Sequence, residues 1–314
     1  MLKGFPRSSL ALGFGCGGLL GGRDRERSIR LLETALDNGI TYFDTARMYG
    51  LGDAEGILGE VIRGRRDKVT VTGKAGILPP RFQRINDLAR GVVGRINRVS
   101  GLGLTMPEPV EPRFGHFRPE EIRRSVETSL GQLRTDYLDA LLLHECGVEH
   151  MRSPAIRDLM ETLRQEGKIR TWGSAATPEE SDGIVRAGIC GPVLQVSFDA
   201  WQGVSSGGAA LKDPFVIVHS VLAGRMNRLL ESLNRDEDAA RAWRDRVGLS
   251  PQDRSGIAQL LLAHAMQRNP HGLVLFSTSN PDNLKVCVQT ARESPFAREA
   301  IASVEDFLPG EGGG

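Results

Sequence analysis

Residues 13–18 read GFGCGG, and the choice between two α/β folds depends on this stretch. The spacing of Gly13, Gly15 and Gly18 fits G-x-G-x-x-G, which follows the first strand of a Rossmann dinucleotide-binding domain. An apolar run precedes the glycines, and the segment DRERSIRLLETALDNG, which has helical spacing, follows them. The next apolar run ends at Asp44, where a Rossmann site has the acidic residue that binds the ribose. A Rossmann domain is therefore one interpretation of the amino-terminal part of the chain.

The rest of the chain favours a different fold, because apolar runs alternate with helical segments along its whole length. Most of these runs are rich in Val, Ile and Leu without strict alternation, as expected for strands that are buried on both faces. The predicted strands lie near residues 10–15, 40–44, 68–73, 138–143, 169–174, 193–198, 215–219 and 273–276. Eight such units predict a (β/α)8 TIM barrel, although a doubly wound protein of two domains could also supply eight strands. We predict a single barrel domain over residues 1–308, followed by a disordered tail over 309–314.

Two connections, residues 76–118 and 224–252, are longer than ordinary loops. In a barrel, both would lie at the carboxyl-terminal face, where active sites of this fold are found. Within the first, residues 81–98 carry five Arg and one Asp, with apolar residues at roughly helical spacing. This segment is compatible with a solvated helix face and with a basic lid over the site.

Composition excludes several classes of function. The chain has 40 Lys and Arg and 39 Asp and Glu, so no overall positive field favours nucleic acid or an anionic membrane. Its four cysteines show no C-x-x-C spacing, which argues against a zinc site or a disulfide framework. No apolar run approaches the roughly 20 residues of a membrane helix, and the first residues do not resemble a signal peptide. We expect a cytoplasmic protein without a metal, a nucleic-acid partner or a membrane partner, whereas its oligomeric state cannot be predicted.

Acid–base groups stand at the ends of neighbouring predicted strands. Asp44 ends the second strand, Tyr49 follows five residues later, and Lys74 and His144 end the third and fourth strands. Successive strand ends are neighbours around the mouth of a barrel, so the four side chains would converge. Asp44 would pair with Lys74, whose ammonium lowers the pKa of the Tyr49 phenol, and His144 would donate a hydrogen bond to a substrate oxygen. Such a cluster suits proton transfer to a carbonyl as hydride arrives, although each residue alone could have a structural role.

Three segments around these residues resemble the aldo-keto reductase family. YFDTARMYGLGDAEGILGEVIR is similar to the family's F-D-T-A-x-x-Y-G…E…L-G signature, VTVTGKAG to its T-K-x-G strand, and DYLDALLLHE to its Y-[IL]-D-L-x-L-x-H stretch. The resemblance covers roughly residues 10–290 and implies a (β/α)8 barrel without a Rossmann fold. It implies that Asp44, Tyr49, Lys74 and His144 form a catalytic tetrad in which Tyr49 is the general acid/base. It also implies a nicotinamide dinucleotide, more often NADPH than NADH.

The resemblance further implies a set of cofactor contacts, and several of them depart from the family pattern. The Ser-Asn pair after the fifth strand is lost, which leaves Ser174, and His219 stands where a tyrosine usually stacks on the nicotinamide. Asn283 replaces an arginine that often binds the phosphate, which puts the preference for NADPH over NADH in question. The residues expected at the cofactor are Gly15, Cys16, Ser174, Gln195, His219, Ser220, Leu222, Ser277, Thr278 and Asn283. Trp201, just after the sixth strand, is expected either to line the substrate pocket or to pack in the core.

These observations together predict an NAD(P)H-dependent oxidoreductase that transfers a hydride between nicotinamide and a small carbonyl or alcohol substrate. The altered cofactor contacts leave two alternatives: a nucleotide-binding regulatory or sensor barrel with little turnover, and a redox-neutral isomerase or lyase of the same fold. The intact tetrad favours the oxidoreductase. The sequence does not identify the substrate or the physiological direction of the reaction.

Overall fold

Eight parallel strands close into a barrel in the computed structural model, which describes Phe5 and residues 10–80, 111–206 and 214–308. The strands are β1 (Leu12–Gly15), β2 (Tyr42–Asp44), β3 (Thr70–Ala75), β4 (Leu138–His144), β5 (Ile169–Ala175), β6 (Val193–Ser197), β7 (Phe215–His219) and β8 (Leu273–Phe276). Each strand pairs with its sequence neighbour, and β1 pairs with β8. The TIM-barrel prediction is confirmed, and the open Rossmann sheet is excluded.

In the part of the chain that the structure describes, helices surround the barrel. They are α1 (Arg25–Asp37), α2 (Ala54–Val61), α3 (Pro119–Leu133), α4 (Val148–Arg152), α5 (Pro154–Gln165), α6 (Pro178–Arg186), α7 (Phe198–Ser206), α8 (Ala223–Arg235), α9 (Glu237–Val247), α10 (Arg254–Arg268), α11 (Pro281–Arg292), α12 (Arg298–Ala302) and α13 (Val304–Phe307). The start of α6 shows how the sequence sets these bounds, because the Thr177 hydroxyl accepts from the Glu180 amide and Pro178 occupies the first turn.

Two glycines of residues 13–18, Gly13 and Gly15, serve the packing of the barrel wall. A Cβ on Gly13 would lie 2.7 Å from the Tyr42 ring, and one on Gly15 would lie 2.6 Å from Ser277 Oγ. Only a residue without a side chain lets these neighbours approach β1 so closely. The stretch that matches a dinucleotide motif is therefore part of a packed barrel strand and the turn after it.

The barrel interior is apolar towards the amino-terminal ends of the strands. Tyr42, Leu142, Val193 and Ile217 belong to one buried cluster there. The ring of Phe5 packs edge-on against Phe215 and Tyr42 at this end. This arrangement leaves the carboxyl-terminal end of the barrel for polar side chains.

The two long connections differ in structure. Residues 224–252, which are longer than an ordinary loop, contain most of α8 and all of α9, and these helices pack on α10 around the fully buried Trp243. The amphipathic segments within that stretch bury enough apolar surface against α10 to form regular helices. In the other connection, a β-bridge joins Leu78 to Arg113. Two predicted features lie outside the described residues. They are the basic helix or lid, which falls within residues 81–110, and the tail over 309–314.

Within the described ranges, no helix combines the length and the apolar character that crossing a membrane would require.

Candidate active site

A cavity of about 470 Å³ opens at the carboxyl-terminal end of the barrel. Residues at, next to or just after the carboxyl ends of seven strands line it, together with Gln195 in the middle of β6. Its volume lies within the usual range for small-ligand sites, which is roughly 300–1,000 Å³. The position is the one where TIM barrels carry their active sites.

Asp44, Tyr49 and Lys74 meet in the wall of this cavity. Lys74 Nζ donates to Asp44 Oδ1 and, at 3.1 Å, to the phenol oxygen of Tyr49. The backbone carbonyl of Thr45 lies 3.4 Å from the same ammonium. The Lys74 side chain is 2% exposed and that of Asp44 is 4% exposed, so the ion pair is shielded from water. The predicted pairing of Asp44 with Lys74 is thus present in the structure.

A tight turn sets the position of Tyr49. The residues after it, Gly50 and Leu51, both have φ values of 58°. A Cβ on Gly50 would lie 2.1 Å from the backbone oxygen of Leu19. Glycine is required at this position, and the turn that it permits brings the phenol back over the end of β3.

The electrostatics of Tyr49 differ from the sequence-based expectation. Burial raises the pKa of the phenol and outweighs the nearby Lys74 ammonium, which lowers it. For Lys74, burial alone would lower the pKa, but Asp44 and Tyr49 together raise it above its ordinary value. The phenol is therefore protonated at neutral pH, beside an ammonium that would stabilise its conjugate base.

His144 lines the cavity next to Tyr49. The two rings meet edge to face, with their centroids 5.8 Å apart. Burial, together with the Lys74 charge, holds the pKa of His144 well below its ordinary value, so the imidazole is neutral. Its Nδ1 atom is buried and has no hydrogen-bond partner within the described residues. All four residues of the predicted tetrad thus line one cavity.

Gln195 reaches the same cluster from the opposite side of the barrel. Its Nε2 atom donates to Asp44 Oδ2 at 2.8 Å. The residue also lines the cavity, as expected for a cofactor contact. Asp44 therefore accepts one hydrogen bond on each carboxylate oxygen, from Lys74 and from Gln195.

His219 and Ser220 form a second polar group on the cavity wall, at the end of β7. His219 Nδ1 lies 2.9 Å from Ser220 Oγ. Burial lowers the pKa of His219 to about 4, so this imidazole is also neutral at pH 7. Ser220 has a φ of 59°, a left-handed conformation that is uncommon for a residue with a side chain and that often marks a functional site.

Six of the ten residues predicted at the cofactor line the cavity. They are Gly15, Gln195, His219, Ser220, Leu222 and Ser277. Ser277 Oγ donates to the carbonyl oxygen of Gly15 at 2.9 Å, which ties the end of β8 to the end of β1.

The remaining four predicted cofactor residues are not brought to the cavity wall. Ser174 is fully buried and donates to the Cys190 carbonyl at 3.2 Å, because successive residues of β5 face opposite sides and Ala175 takes the inward position. Cys16 packs in the core, where burial raises the pKa of its thiol. Thr278 bonds to the backbone of Asn280, and Asn283 is exposed on α11.

Trp201, expected either to line the substrate pocket or to pack in the core, packs against the core. Its indole packs against the main apolar cluster, and Nε1 donates to the Arg268 carbonyl at 3.4 Å. It is not among the residues that line the described cavity.

Sequence analysis did not identify Glu145 as part of the cavity. This exposed residue directly follows His144, has a φ of 51°, and places a carboxylate on the cavity wall. Its position after a strand that ends in a titratable residue is the signal that could have found it. Thr177 and Pro178, at the start of α6, also line the cavity and were not among the predicted site residues.

Comparisons with known proteins agree with this fold. The sequence model of the aldo/keto reductase family matches residues 11–309. The aldo-keto reductase YhdN of Bacillus subtilis is 31% identical over 179 residues, which cover 54% of this chain and 44% of that protein. The NADH-specific methylglyoxal reductase of Escherichia coli is 30% identical over 158 residues, which cover 49% of this chain and 43% of that protein. The chain thus spans less than half the length of these relatives.

A solved structure resembles the whole barrel. The aldo-keto reductase from Klebsiella pneumoniae in complex with NADPH superposes with a TM-score of 0.65, at 24% identity, and covers 95% of this chain and 91% of that one. At this level of identity, the likeness concerns the fold. The family model matches nearly the whole chain, and this match shows that the chain belongs to the aldo/keto reductase family.

Proposed function

We propose that this chain is a nicotinamide-dependent oxidoreductase that reduces a small carbonyl substrate, with Tyr49 as the general acid. The observation that carries the proposal is the 3.1 Å contact between Lys74 Nζ and the phenol oxygen of Tyr49 in the wall of the cavity. Asp44 balances the charge of Lys74 in this buried site, which allows the ammonium to stay there.

The protonation states favour reduction over oxidation at neutral pH. A phenol with a raised pKa holds its proton and can give it to a carbonyl oxygen. The phenolate left behind would be stabilised by the adjacent Lys74 ammonium. The neutral imidazole of His144 can donate a hydrogen bond that orients the carbonyl. A bound nicotinamide cofactor would supply the hydride.

The residues on the cavity wall fit such a cofactor. Gln195 and His219 offer an amide and a flat ring for the nicotinamide end. Leu222 and Ala223, at the amino end of the 13-residue helix α8, also line the cavity. Free backbone N–H groups in that first turn, which contains no acidic residue, suit a pyrophosphate. By contrast, α11 has Asp282 in its first turn, which would repel an anion.

NADPH is proposed over NADH as the cofactor, although Asn283 lacks the charge that would bind a 2′-phosphate. Arg27 supports this preference. Its Nη2 atom donates to the Ser279 carbonyl at 3.0 Å, which places a positive charge beside the loop after β8, where Ser277 and Thr278 are expected at the cofactor. An Arg27→Gln variant is expected to lose affinity for NADPH more than for NADH. Equal losses for both cofactors, measured by fluorescence titration, would remove this argument for NADPH.

We propose small carbonyl compounds as the substrate class. The name of one relative, the NADH-specific methylglyoxal reductase of Escherichia coli, supports this class. We also propose a cytoplasmic location, which is supported by the four cysteines: all of them are buried and none forms a disulfide.

A two-step experiment tests the proposed function. Purified protein is titrated with NADPH and with NADH while cofactor fluorescence is followed, and a panel of aldehydes and ketones is then added. The proposal predicts saturable binding and carbonyl-dependent oxidation of the cofactor. Binding without oxidation would favour a sensor barrel, and a product isomeric with its substrate would favour a redox-neutral enzyme. An absence of binding would contradict all three.

A further inference from the structure

The amide of Gln195 crosses the barrel to the carboxylate of Asp44. The strand that carries Gln195, β6, is four strands away from β2, so the two residues lie on opposite sides of the eight-stranded barrel. The bond from Nε2 to Oδ2 measures 2.8 Å, and both residues are 3% exposed. A hydrogen bond that spans the barrel within a buried site fixes the rotamers at both of its ends.

The chemistry of the carboxylate determines which end of the amide faces it. An ionised carboxylate only accepts hydrogen bonds, so the NH2 group of Gln195 faces Asp44. The reversed amide would place two acceptors against each other in a buried site and leave both unsatisfied. The Oε1 atom is consequently the end that is available to the cavity, which Gln195 also lines.

We propose that Gln195 is a positioning residue for proton transfer: it holds the Asp44 carboxylate against Lys74 and thereby holds Lys74 against the phenol of Tyr49. This inference rests on the function proposed above, because it concerns proton transfer by Tyr49. Without the donor from Gln195, the Asp44 carboxylate would be free to turn, the Lys74 ammonium would follow it, and the 3.1 Å contact with the phenol would lengthen. Hydrogen bonds to charged groups are the stronger ones, so kcat of a Gln195→Met variant is expected to fall roughly 10- to 100-fold.

A Gln195→Glu variant gives the sharpest test, because its carboxyl group can replace the amide only when it is protonated. Two carboxylates at hydrogen-bonding distance cannot both ionise easily, so one of the two has a strongly raised pKa. Below that pKa, the new carboxyl group donates to Asp44 as the amide does, and kcat should approach that of the wild type. Above it, the second negative charge displaces Asp44, and kcat should fall to the level of Gln195→Met.

Protein stability provides a readout that needs no turnover. The folded-state pKa of the shared proton lies above the unfolded value of about 4.3. The Gln195→Glu variant, relative to the wild type, should therefore lose stability as pH rises through the folded pKa. Urea unfolding of the cofactor-free protein across this range measures the loss. The matched control is Gln259→Glu on α10, where the hydrogen bonds of the amide go to Thr290 and to the Ser255 carbonyl, and no such step is expected.

The two readouts together decide the proposal. A pH step in stability with a parallel step in kcat supports it. A stability difference that does not depend on pH means that the new carboxyl group shares no proton with Asp44 and overturns it. A stability step with wild-type kcat and a raised KM for the cofactor also overturns it, because Gln195 would then only bind cofactor. If the step appears but the wild-type protein turns over no carbonyl, the proposed function has failed and the role in proton transfer fails with it, although the contact with Asp44 is real.

Discussion

Lys74 Nζ lies 3.1 Å from the phenol oxygen of Tyr49 and also donates to the carboxylate of Asp44. The ammonium therefore links the carboxylate of Asp44 to the phenol that is proposed to give up its proton in the reaction. Since Lys74 is 3% exposed, little solvent screens either interaction. The stability of the fold and the proton transfer proposed for the cavity are therefore both expected to depend on the Lys74 ammonium.

Lys74→Met should destabilise the protein strongly. The change leaves the Asp44 carboxylate buried without a cation, which costs about 3–5 kcal/mol in free energy of unfolding. Urea unfolding measures this cost. Lys285→Met is the matched control, because Lys285 pairs with Asp282 on the surface, and its loss should change stability by less than about 0.5 kcal/mol.

A second variant separates charge from packing. Adding Asp44→Asn to Lys74→Met removes the unpaired carboxylate, so part of the lost stability should return. If Lys74→Met alone is as stable as the wild type, Asp44 is not a buried ion in the folded protein, and the electrostatic account of the cavity fails.

Acidification should destabilise the protein through its buried histidines. His144, His219 and His264 all have lowered pKa values, to about 4 for His219 and His264, mainly because of burial. In the unfolded chain, a histidine takes up a proton near pH 6.5, so unfolding binds protons between about pH 6.5 and 4. Each histidine should lower the free energy of unfolding by up to ~1.4 kcal/mol per pH unit in this window.

Besides burial, which lowers the pKa of His264 most, the Arg225 charge lowers it further and Glu305 raises it. Arg225 Nη2 lies 2.9 Å from His264 Nδ1, and His264 Nε2 lies 3.2 Å from Glu305 Oε1. Since arginine can only donate, Nδ1 must accept, and the ring proton is on Nε2. A His264→Gln variant should therefore show a shallower pH dependence of stability below pH 6.5. Equal slopes for the variant and the wild type would contradict the assignment of a neutral, buried imidazole.

Asp139→Ala should destabilise the fold without changing the cavity. Asp139 is 2% exposed at the amino-terminal end of β4, where it accepts from Arg66, Arg170 and the Val71 amide. Its loss leaves the Val71 N–H buried without this acceptor and removes one carboxylate partner from each of the two arginines, at a cost of about 3 kcal/mol. Cofactor affinity should match the wild type, since the amino-terminal face of a TIM barrel serves stability. A large loss of affinity with unchanged stability would contradict this division.

The sequence predicted the barrel and the tetrad for physical reasons that can be stated. Strands buried on both faces are continuous apolar runs, and all eight were found to within a few residues. Asp44, Lys74 and His144 interrupt or end such runs. A polar or charged group is costly there unless it is paired or hydrogen-bonded. Parallel strands of a barrel bring these ends together, and the resemblance to the family favoured the barrel over two doubly wound domains.

The details that could not be predicted depend on side-chain direction and on burial. A one-residue shift in β5 decides whether Ser174 or Ala175 faces inward, and sequence patterns do not resolve such a shift. The raised pKa of Tyr49 results from the extent of its burial, which depends on contacts from distant segments. The hydrogen bond between Gln195 and Asp44 joins residues 151 positions apart, and no local pattern reports it.

Tyr49 is proposed to deliver the proton as a nicotinamide cofactor reduces a carbonyl. The most direct measurement compares carbonyl-dependent oxidation of NADPH by the wild type and by Tyr49→Phe, with cofactor affinity measured on the same samples. Since general acid catalysis contributes 10²- to 10⁴-fold, the account predicts a rate loss of at least about 100-fold with cofactor affinity near that of the wild type. Full turnover by Tyr49→Phe would contradict it.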